Sequence, residues 1–233
     1  MLNNIEIILL NTTHSGNIGS AARAIKTMGI TKLTLVNPQC NIDENSYALA
    51  SNASDILDNI SIYNTLDEAL LESNFIIGTT TRNRKLDIKT IESIHINTIL
   101  DQRKDDKISI LFGTERTGMT NEELKKCNLS ITIPTNPDYS SLNLAMAIQI
   151  ICYEIYKYHY IDMHSNIKVL DKEKLPSFQE SNFFIERLIE LNKKSGFIKN
   201  KSMETKIYTI FNKLELTSND ISILNGMLNK LTK

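Results

Sequence analysis

The first candidate for chemistry is Arg23, which lies in a stretch whose apolar residues repeat with helical spacing. Ile18 and Ile25 mark the apolar side of this helix, and at about 100° per residue Arg23 falls roughly 140° away from Ile18. Gly16 and Gly19 flank the helix start, where backbone N–H groups can approach a bound anion or another surface closely. The pattern predicts a helix start that faces a ligand or a partner, with a solvated surface arginine as the alternative.

A second candidate is the segment Phe112–Gly118, which follows an apolar run. Gly113 and Gly118 bracket the charged pair Glu115 and Arg116. A loop of this kind can enclose an adenosine-like ligand with its backbone groups, and an ordinary turn is the alternative interpretation.

The third candidate is the segment Asn136–Ala145, which leads into a long apolar helix predicted over residues 140–160. Ser140 or Ser141 can cap that helix. Asn143 falls in its predicted first turn, where a polar side chain requires a hydrogen-bond partner. The segment therefore holds either a simple helix cap or part of a polar site.

Two common ligand classes fit the sequence poorly. Gly16 and Gly19 form only part of a dinucleotide-binding fingerprint. Asn37 occupies the position at which such a fold requires an acidic residue to bind the ribose of the dinucleotide. The histidines and cysteines show no metal-ligand spacing, so no metal is predicted. They are His14, His95, His159, His164, Cys40, Cys127 and Cys152.

The first 160 residues alternate between strand-like and helix-like stretches, which predicts an α/β domain with a mostly parallel sheet. Polar residues 161–180 are predicted to form a linker, and residues 181–233 a helical extension. Ligands of such sheets bind at the carboxyl ends of the strands, so the loops there are expected to meet. These loops are Thr12–Gly19, Gly78–Arg84, Gly113–Thr120 and Pro134–Asn143.

Apolar periodicity gives the individual elements. Strands are predicted at Ile5–Leu10, Leu33–Val36, Ile60–Tyr63, Phe75–Thr79, Lys107–Phe112 and Ser130–Ile133. Helices are predicted at Asn17–Met28, Glu44–Ser54, Leu66–Leu71, after Thr120, at Ser140–Tyr160, and then at Asn182–Lys193, Ser202–Leu214 and Thr217–Leu231.

Composition indicates a soluble globular protein, because 41% of the 233 residues are hydrophobic and 23% are charged. No apolar run approaches the roughly 20 residues of a membrane span. The odd number of widely spaced cysteines favours a reducing compartment, and we expect the cytoplasm. The net charge of −1 is unlike that of many nucleic-acid binders. Two regions nevertheless carry a local charge of +3 and form either phosphate contacts or solvated faces: residues 82–89 and 186–206.

Taken together and in this order, the three candidate segments resemble the SPOUT superfamily of RNA methyltransferases. Within it, they are most similar to bacterial enzymes that methylate the ribose 2′-hydroxyl of cytidine or uridine 32 in tRNA. The resemblance runs from about residue 2 to residue 158 and becomes weaker in the helical extension. The segments that carry it are Asn11–Ala24, Phe112–Glu123 and Tyr139–Ala145.

The resemblance implies a trefoil knot in the C-terminal half of the α/β domain, an obligate homodimer and S-adenosylmethionine bound in the knot. Thr114 and Met119 depart from the residues usual in the family, and Thr114 leaves the RNA contact at that position open. By position, the cofactor contacts are expected from Thr79, Thr80, Thr81, Gly113, Ile133, Ser140, Ser141 and Leu142. Arg23, Asn17, Glu115, Ser141 and Asn143 take the positions of the catalytic motif residues.

The expected activity is methyl transfer to a ribose of tRNA, without metal and without a membrane. Removing a proton from an arginine near neutral pH would cost roughly 7–8 kcal/mol, so Arg23 is expected to hold a phosphate and stabilise developing alkoxide charge. A role as the base stays open. The alternatives are a methyltransferase that acts on rRNA and a catalytically silent RNA-binding protein of the same fold.

Overall fold

A parallel sheet organises the protein. The computed structural model describes residues 2–81, 88–164, 175–214 and 216–231. Within these ranges the strands follow the order β3-β2-β1-β6-β4-β7-β5, and every neighbouring pair is parallel. Their bounds are β1 (Ile5–Leu10), β2 (Lys32–Val36), β3 (Ser61–Tyr63), β4 (Phe75–Thr79), β5 (Thr90–Glu92), β6 (Ile108–Phe112) and β7 (Leu129–Thr132).

Helices follow most of the strands. Those of the α/β domain are α1 (Ser15–Thr27), α2 (Glu44–Ala50), α3 (Ser54–Asp58), α4 (Leu66–Leu70), α5 (Ile96–Leu100), α6 (Asn121–Leu124) and α7 (Leu144–His164). Those near the C-terminus are α8 (Phe178–Lys194), α9 (Lys201–Lys213) and α10 (Ser218–Leu231). Short 3₁₀ turns occupy Leu2–Asn4, Ser51–Ala53 and Ser93–His95.

Both faces of the sheet are covered, which explains why its central strands are continuous apolar runs. Ile7 and Leu9 of β1 join the larger core, which includes Ile18 of α1 and Ile148 of α7. Ile8 and the other residues that point to the opposite face pack with α4 and α6 in a second core. The α/β domain with a mostly parallel sheet, predicted from alternation alone, is confirmed.

One local prediction is wrong, and two short elements were not predicted. The long helix begins at Leu144 and not at Ser140, because the Asn143 side chain accepts a hydrogen bond from the backbone N–H of Ala145 at 2.9 Å and starts the helix. β5 and α5 were not predicted, since segments of three and five residues are too short to show a clear apolar period. The Thr120 cap of α6 is confirmed.

Two larger expectations stay predictions. One is the trefoil knot implied by the resemblance. The other is the division of the chain at residues 161–180, where α7 extends to His164 and α8 begins at Phe178, so helices occupy both ends of the interval. Arg82, Arg84, Lys85 and Asp87 of the first basic region lie outside the described residues.

The glycines near the start of α1 serve helix packing. A Cβ added at Gly19 would lie 2.0 Å from the backbone oxygen of Ser46, and one added at Gly16 would lie 2.8 Å from the Leu49 side chain. The expected close approach at these glycines is therefore an approach to α2 of the same chain, and the ligand or partner expected at the helix start stays a prediction.

The C-terminal helices form their own small core and dock at the amino ends of β4 and β7. Phe184 and Phe211 meet edge to face in that core, with ring centroids 5.1 Å apart. The backbone N–H of Phe178 donates to the carbonyl of Ser73, just before β4, at 2.6 Å. The extension therefore attaches at the amino ends of the strands, on the side of the sheet opposite their carboxyl ends.

Replacing Gly19 tests the packing of α1 on α2. Gly19→Ala should lower the free energy of unfolding by about 1–3 kcal/mol, because the new Cβ must push the Ser46 backbone away. Gly226→Ala on α10 is the matched control, since open space surrounds Gly226 and the added helix propensity should stabilise by up to about 1 kcal/mol. Urea unfolding measures both, and equal effects of the two substitutions would contradict the prediction.

Candidate active site

A cavity of about 340 Å³ opens at the carboxyl ends of the central strands. Its walls come from the end of β4, the loop after β6, the end of β7 and the segment before α7. All eight residues expected to contact the cofactor line it: Thr79, Thr80, Thr81, Gly113, Ile133, Ser140, Ser141 and Leu142. The structure therefore brings together four segments that lie far apart in the sequence.

The loop after β6 closes on itself through its glycines. Gly118 adopts a φ of +67° and its backbone N–H donates to the carbonyl of Thr114 at 2.9 Å. A Cβ added at Gly113 would lie 2.1 Å from the backbone nitrogen of Met119, so only glycine permits this closure. The result is a compact loop that presents backbone groups and Glu115 to the cavity.

Glu115 is the centre of a polar network that links this loop to the first helix. Asn17 donates its side-chain N–H to the carboxylate at 3.0 Å, across a separation of 98 residues. Thr13 donates both its hydroxyl, at 3.0 Å, and its backbone N–H, at 3.3 Å. Two donors from the β1–α1 connection and one from the first turn of α1 thus converge on one carboxylate after β6.

The environment keeps Glu115 ionised. Partial burial by itself would raise the pKa of Glu115, but the hydrogen bonds from Asn17, from its own backbone and from Thr13 together lower the pKa below its usual value. An ionised carboxylate only accepts hydrogen bonds, which fixes the direction of every bond in the network.

Asn143 extends the network to the third segment. Its side-chain amide donates to Asn17 at 3.3 Å, while its oxygen caps α7. The two bonds of Asn17 orient its amide, with the nitrogen toward Glu115 and the oxygen toward Asn143. Asn17, Glu115 and Asn143, expected together from the resemblance, are therefore joined in series through Asn17. Exposed Ser141 lies two residues before Asn143.

Two asparagines end neighbouring strands in a strained backbone conformation. Asn11 follows β1 with a φ of 51°, and Asn37 follows β2 with a φ of 46°, a region that asparagine tolerates better than most residues. Asn37 donates to the Asn11 side chain at 2.8 Å, and Asn11 donates to Glu123 at 3.3 Å. These bonds hold the turns that lead to Thr13. Roles for Asn11 and Asn37 were not predicted from the sequence, although an asparagine directly after an apolar run is a usable signal.

Arg23 lies apart from this cavity. It is exposed on α1, and the residues that line the cavity do not include it. Its backbone carbonyl accepts a hydrogen bond from the Thr27 hydroxyl at 2.6 Å. Its position away from the apolar stripe agrees with the sequence pattern, but within one chain it is not joined to Asn17 and Glu115.

A larger cavity of about 440 Å³ lies at the joint between the sheet and the C-terminal helices. Asparagines in its wall bond to backbone: Asn74 donates to the carbonyl of Leu175 at 3.0 Å, and Asn212 donates to that of Lys125 at 2.6 Å. Arg103, which is buried, lies 4.0 Å from the centre of the Phe75 ring. This cavity is part of the attachment of the extension and is separate from the predicted site.

Part of the second basic region is neutralised by neighbours. Lys193 pairs with Glu204 at 2.9 Å and Lys194 pairs with Glu190 at 2.7 Å. In the part of the chain that the structure describes, Lys199, Lys201 and Lys206 form no ion pair. Arg187 of the same region donates to the neutral side chain of Asn229 at 2.5 Å, so it too is without an ion pair among the described residues.

Residues 2–81, 88–164, 175–214 and 216–231 contain no group of three or more histidine, cysteine, aspartate or glutamate side chains placed to hold a metal ion. None of the helices described there is long and apolar enough to cross a membrane.

Comparison with known proteins agrees with this geometry. The pattern of the SpoU rRNA methylase family matches residues 4–153, more than half of the chain and all four walls of the cavity. The chain belongs to the SpoU rRNA methylase family. The SpoU match ends within α7, so it leaves out the C-terminal helices.

Full-length relatives extend the SpoU assignment. A protein of Haemophilus influenzae described as an uncharacterized tRNA/rRNA methyltransferase is 40% identical, over all of this chain and 96% of its own length. The tRNA (cytidine/uridine-2′-O-)-methyltransferase TrmJ of Yersinia pestis is 38% identical, over all of this chain and 93% of its own. The crystal structure of TrmJ from Z. mobilis superposes with a TM-score of 0.86 at 27% identity, and covers 98% of this chain and 99% of that one.

Replacing Glu115 by glutamine tests its ionised state. Because the pKa of Glu115 is lowered on folding, the carboxylate stabilises the fold above its unfolded pKa, and this stabilisation is lost as the pH falls through its folded pKa. Urea unfolding should show Glu115→Gln less stable than the wild type at about pH 7, with a smaller difference at about pH 4. Glu92→Gln, on exposed β5, is the control. A difference for Glu115→Gln that does not change with pH would contradict the prediction.

Proposed function

We propose that this protein transfers a methyl group from S-adenosylmethionine to a ribose 2′-hydroxyl of tRNA, at cytidine or uridine 32 of the anticodon loop. The observation that carries the proposal is the single cavity that gathers all eight expected cofactor residues beside the Asn17–Glu115–Asn143 network. Full-length similarity to TrmJ proteins, whose name gives cytidine and uridine 2′-O-methylation of tRNA, supports the same activity.

The cavity suits S-adenosylmethionine in size and chemistry. Its volume of about 340 Å³ falls in the range of small-molecule sites. Leu142, Leu144 and Ile133 offer apolar contacts for an adenine ring, while the closed loop at Gly113 offers backbone groups. Glu115 supplies a negative charge at the wall, which favours a sulfonium cation. When bound, the cofactor supplies an electrophilic methyl group.

The residues around the cavity position the acceptor ribose. We assign Asn17 and Asn143 to hydrogen bonding with the RNA or the cofactor. Within the described ranges of the chain, their side chains bond only to each other, to Glu115 and to the start of α7, which leaves further donors and acceptors for a ligand. Ser141 is exposed at the rim and is assigned the same role. Holding the attacking oxygen and the methyl carbon in line is the main contribution that such groups make.

Arg23 is proposed as an electrostatic anchor for the RNA backbone. A guanidinium binds phosphate through paired N–H donors and stays charged at any physiological pH. Arg23 is exposed and lies beyond the cavity wall, which suits contact with a phosphate of an extended substrate. Lys199, Lys201 and Lys206 on the extension are proposed as further phosphate contacts. The cytoplasm is proposed as the compartment of the protein, because tRNA is found there.

A homodimer is proposed, with α7 at its interface. Met146, Tyr153 and Tyr160 recur every seven residues along α7 and are 63%, 50% and 54% exposed. A heptad of large apolar side chains is the pattern of a helix that packs against another helix. A second copy of the same helix satisfies this pattern in a symmetric interface.

An rRNA substrate is the second candidate, because the matched family is described by rRNA methylation and one relative is described by both RNAs. Labelled methyl transfer from S-adenosylmethionine to purified tRNA and to rRNA distinguishes the two. A protein that binds RNA but transfers no methyl group to either would fit the catalytically silent alternative.

The first test is mass spectrometry of tRNA nucleosides from cells with and without this protein, followed by methylation of a tRNA transcript in vitro. We expect 2′-O-methylcytidine or 2′-O-methyluridine at position 32 only when the protein is present.

Arg23→Ala and Arg23→Lys should reduce the rate of methyl transfer by roughly 10²-fold or more, while cofactor binding, measured by calorimetry, is retained. Activity that survives both substitutions would rule out a catalytic role for Arg23.

The dimer is tested by substituting its proposed interface. Met146→Glu places a charge within the α7 heptad and should give particles with the mass of one chain, whereas the wild type should have the mass of two. Ile62→Glu, at an apolar residue of β3 that is 57% exposed, is the matched control and should stay dimeric. Light scattering after size-exclusion chromatography reports the masses, and a monomeric wild type would contradict the proposal.

A further inference from the structure

One histidine lies at the edge of the active-site network, in the connection between β1 and α1. His14 is exposed and directly precedes α1. Its Nδ1 is 2.8 Å from the Thr13 hydroxyl oxygen, which in turn is 3.0 Å from Oε2 of Glu115. Carboxylate, hydroxyl and imidazole therefore form one hydrogen-bonded series that begins at Glu115 in the cavity wall and ends at the exposed His14.

The positions of the protons in this series follow from its acceptor. An ionised Glu115 can only accept, so the single hydroxyl hydrogen of Thr13 points to Glu115. The Thr13 oxygen can then only accept from His14, which requires a hydrogen on Nδ1. In the neutral imidazole this leaves the lone pair on Nε2, the nitrogen that is free to take up a proton.

We propose that His14 is a catalytic residue whose Nε2 accepts the proton of the ribose 2′-hydroxyl during methyl transfer. This inference rests on the proposed function. As the bond from the 2′-oxygen to the methyl carbon forms, the bond from that carbon to sulfur breaks and its electron pair stays on sulfur. The hydroxyl proton moves to Nε2, gives an imidazolium with hydrogens on both nitrogens, and then passes to water.

Other polar groups at the site are less suited to this step. Arg23 is a cation without a lone pair to accept a proton, and Glu115 is occupied by donors from Thr13 and Asn17. The amides of Asn17 and Asn143 do not take up protons near neutral pH. Histidine is the side chain that changes charge in this range.

The segments around His14 carry both acidic and basic side chains. Titratable groups on the neighbouring described segments are Glu115 and Arg116 after β6, and Cys40 and Asp43 before α2. Asp43 interacts with Ser15, and the pKa of Asp43 is lowered chiefly by the backbone N–H of Ser46. With both carboxylates ionised and the Cys40 thiol neutral, the net charge of these groups is negative. Thr13 is the positioning residue that connects the imidazole to Glu115.

The state of the imidazole is tested on the unaltered protein. Nitrogen-15 NMR of the histidine rings should show His14 with its hydrogen on Nδ1 when neutral. Thr13→Val should lose this preference, whereas Thr13→Ser should keep it. A hydrogen on Nε2 in the neutral wild type would overturn the proposal, and this reading does not depend on activity.

The catalytic role is tested with His14→Asn, whose amide can still donate to Thr13 but has no acceptor at the position of Nε2. Single-turnover methylation of a tRNA transcript is followed from about pH 5.5 to about pH 9, with cofactor and tRNA binding measured separately. The wild-type rate should rise with pH and then level off, because only a neutral imidazole can accept the hydroxyl proton. His14→Asn should be roughly 10²–10⁴-fold slower without that inflection, and imidazole should partly restore the rate of His14→Gly.

The outcomes separate this inference from the proposed function. A wild type that methylates tRNA, together with a His14→Asn variant of equal rate and pH profile, overturns the role of His14 and leaves the proposed function intact. A folded wild type that binds tRNA but transfers no methyl group overturns both. Loss of the inflection with retained binding supports the assignment.

Discussion

The hydrogen bond from Asn17 to Glu115 is the contact on which the arrangement of the site depends. β1 and β6 are neighbours in the sheet, so the segments that follow them are brought together by strand order. Strand pairing by itself fixes only the points at which those two segments begin. The bond fixes the rotation of α1 relative to the loop after β6, and through Asn143 it also sets the position at which α7 begins. One amide thus coordinates three chain segments.

This network is polar and partly exposed, whereas the cores beneath it are apolar and buried. Thr13 and Asn143 are exposed and Asn17 is half-buried, so water competes with each hydrogen bond and the net stabilisation from each is modest. A bound RNA that covered these groups would remove that competing water and strengthen the same bonds. The site can therefore be loosely held in the free protein and become firmer when substrate arrives. Stability comes mainly from apolar contacts on both faces of the sheet, such as those of Ile7 and Ile8.

The sequence predicted the scaffold well because apolar period and strand length are local properties. β1 and β4 have their predicted bounds, and Arg23 is exposed as its place on the helix wheel requires. The grouping of the eight cofactor residues came from the resemblance, since no periodicity connects Thr79 with Ser140. Gly19 illustrates a related limit: a glycine shows that something lies close, and only tertiary structure shows that it is the Ser46 backbone. Roles for Thr13 and His14 were not predicted, because they depend on contacts across about 100 residues.

The attachment of the C-terminal helices has a consequence for how such proteins can diverge. They dock at the amino ends of β4 and β7, while the cavity lies at the carboxyl ends, at least one strand length away. A five-residue strand spans roughly 16 Å, a distance at which the energetic effects of substitutions usually add independently. Mutations that reshape the extension can therefore accumulate without disturbing the geometry at Glu115. Natural variation can therefore change the extension while the chemistry at the carboxyl ends of the strands is conserved.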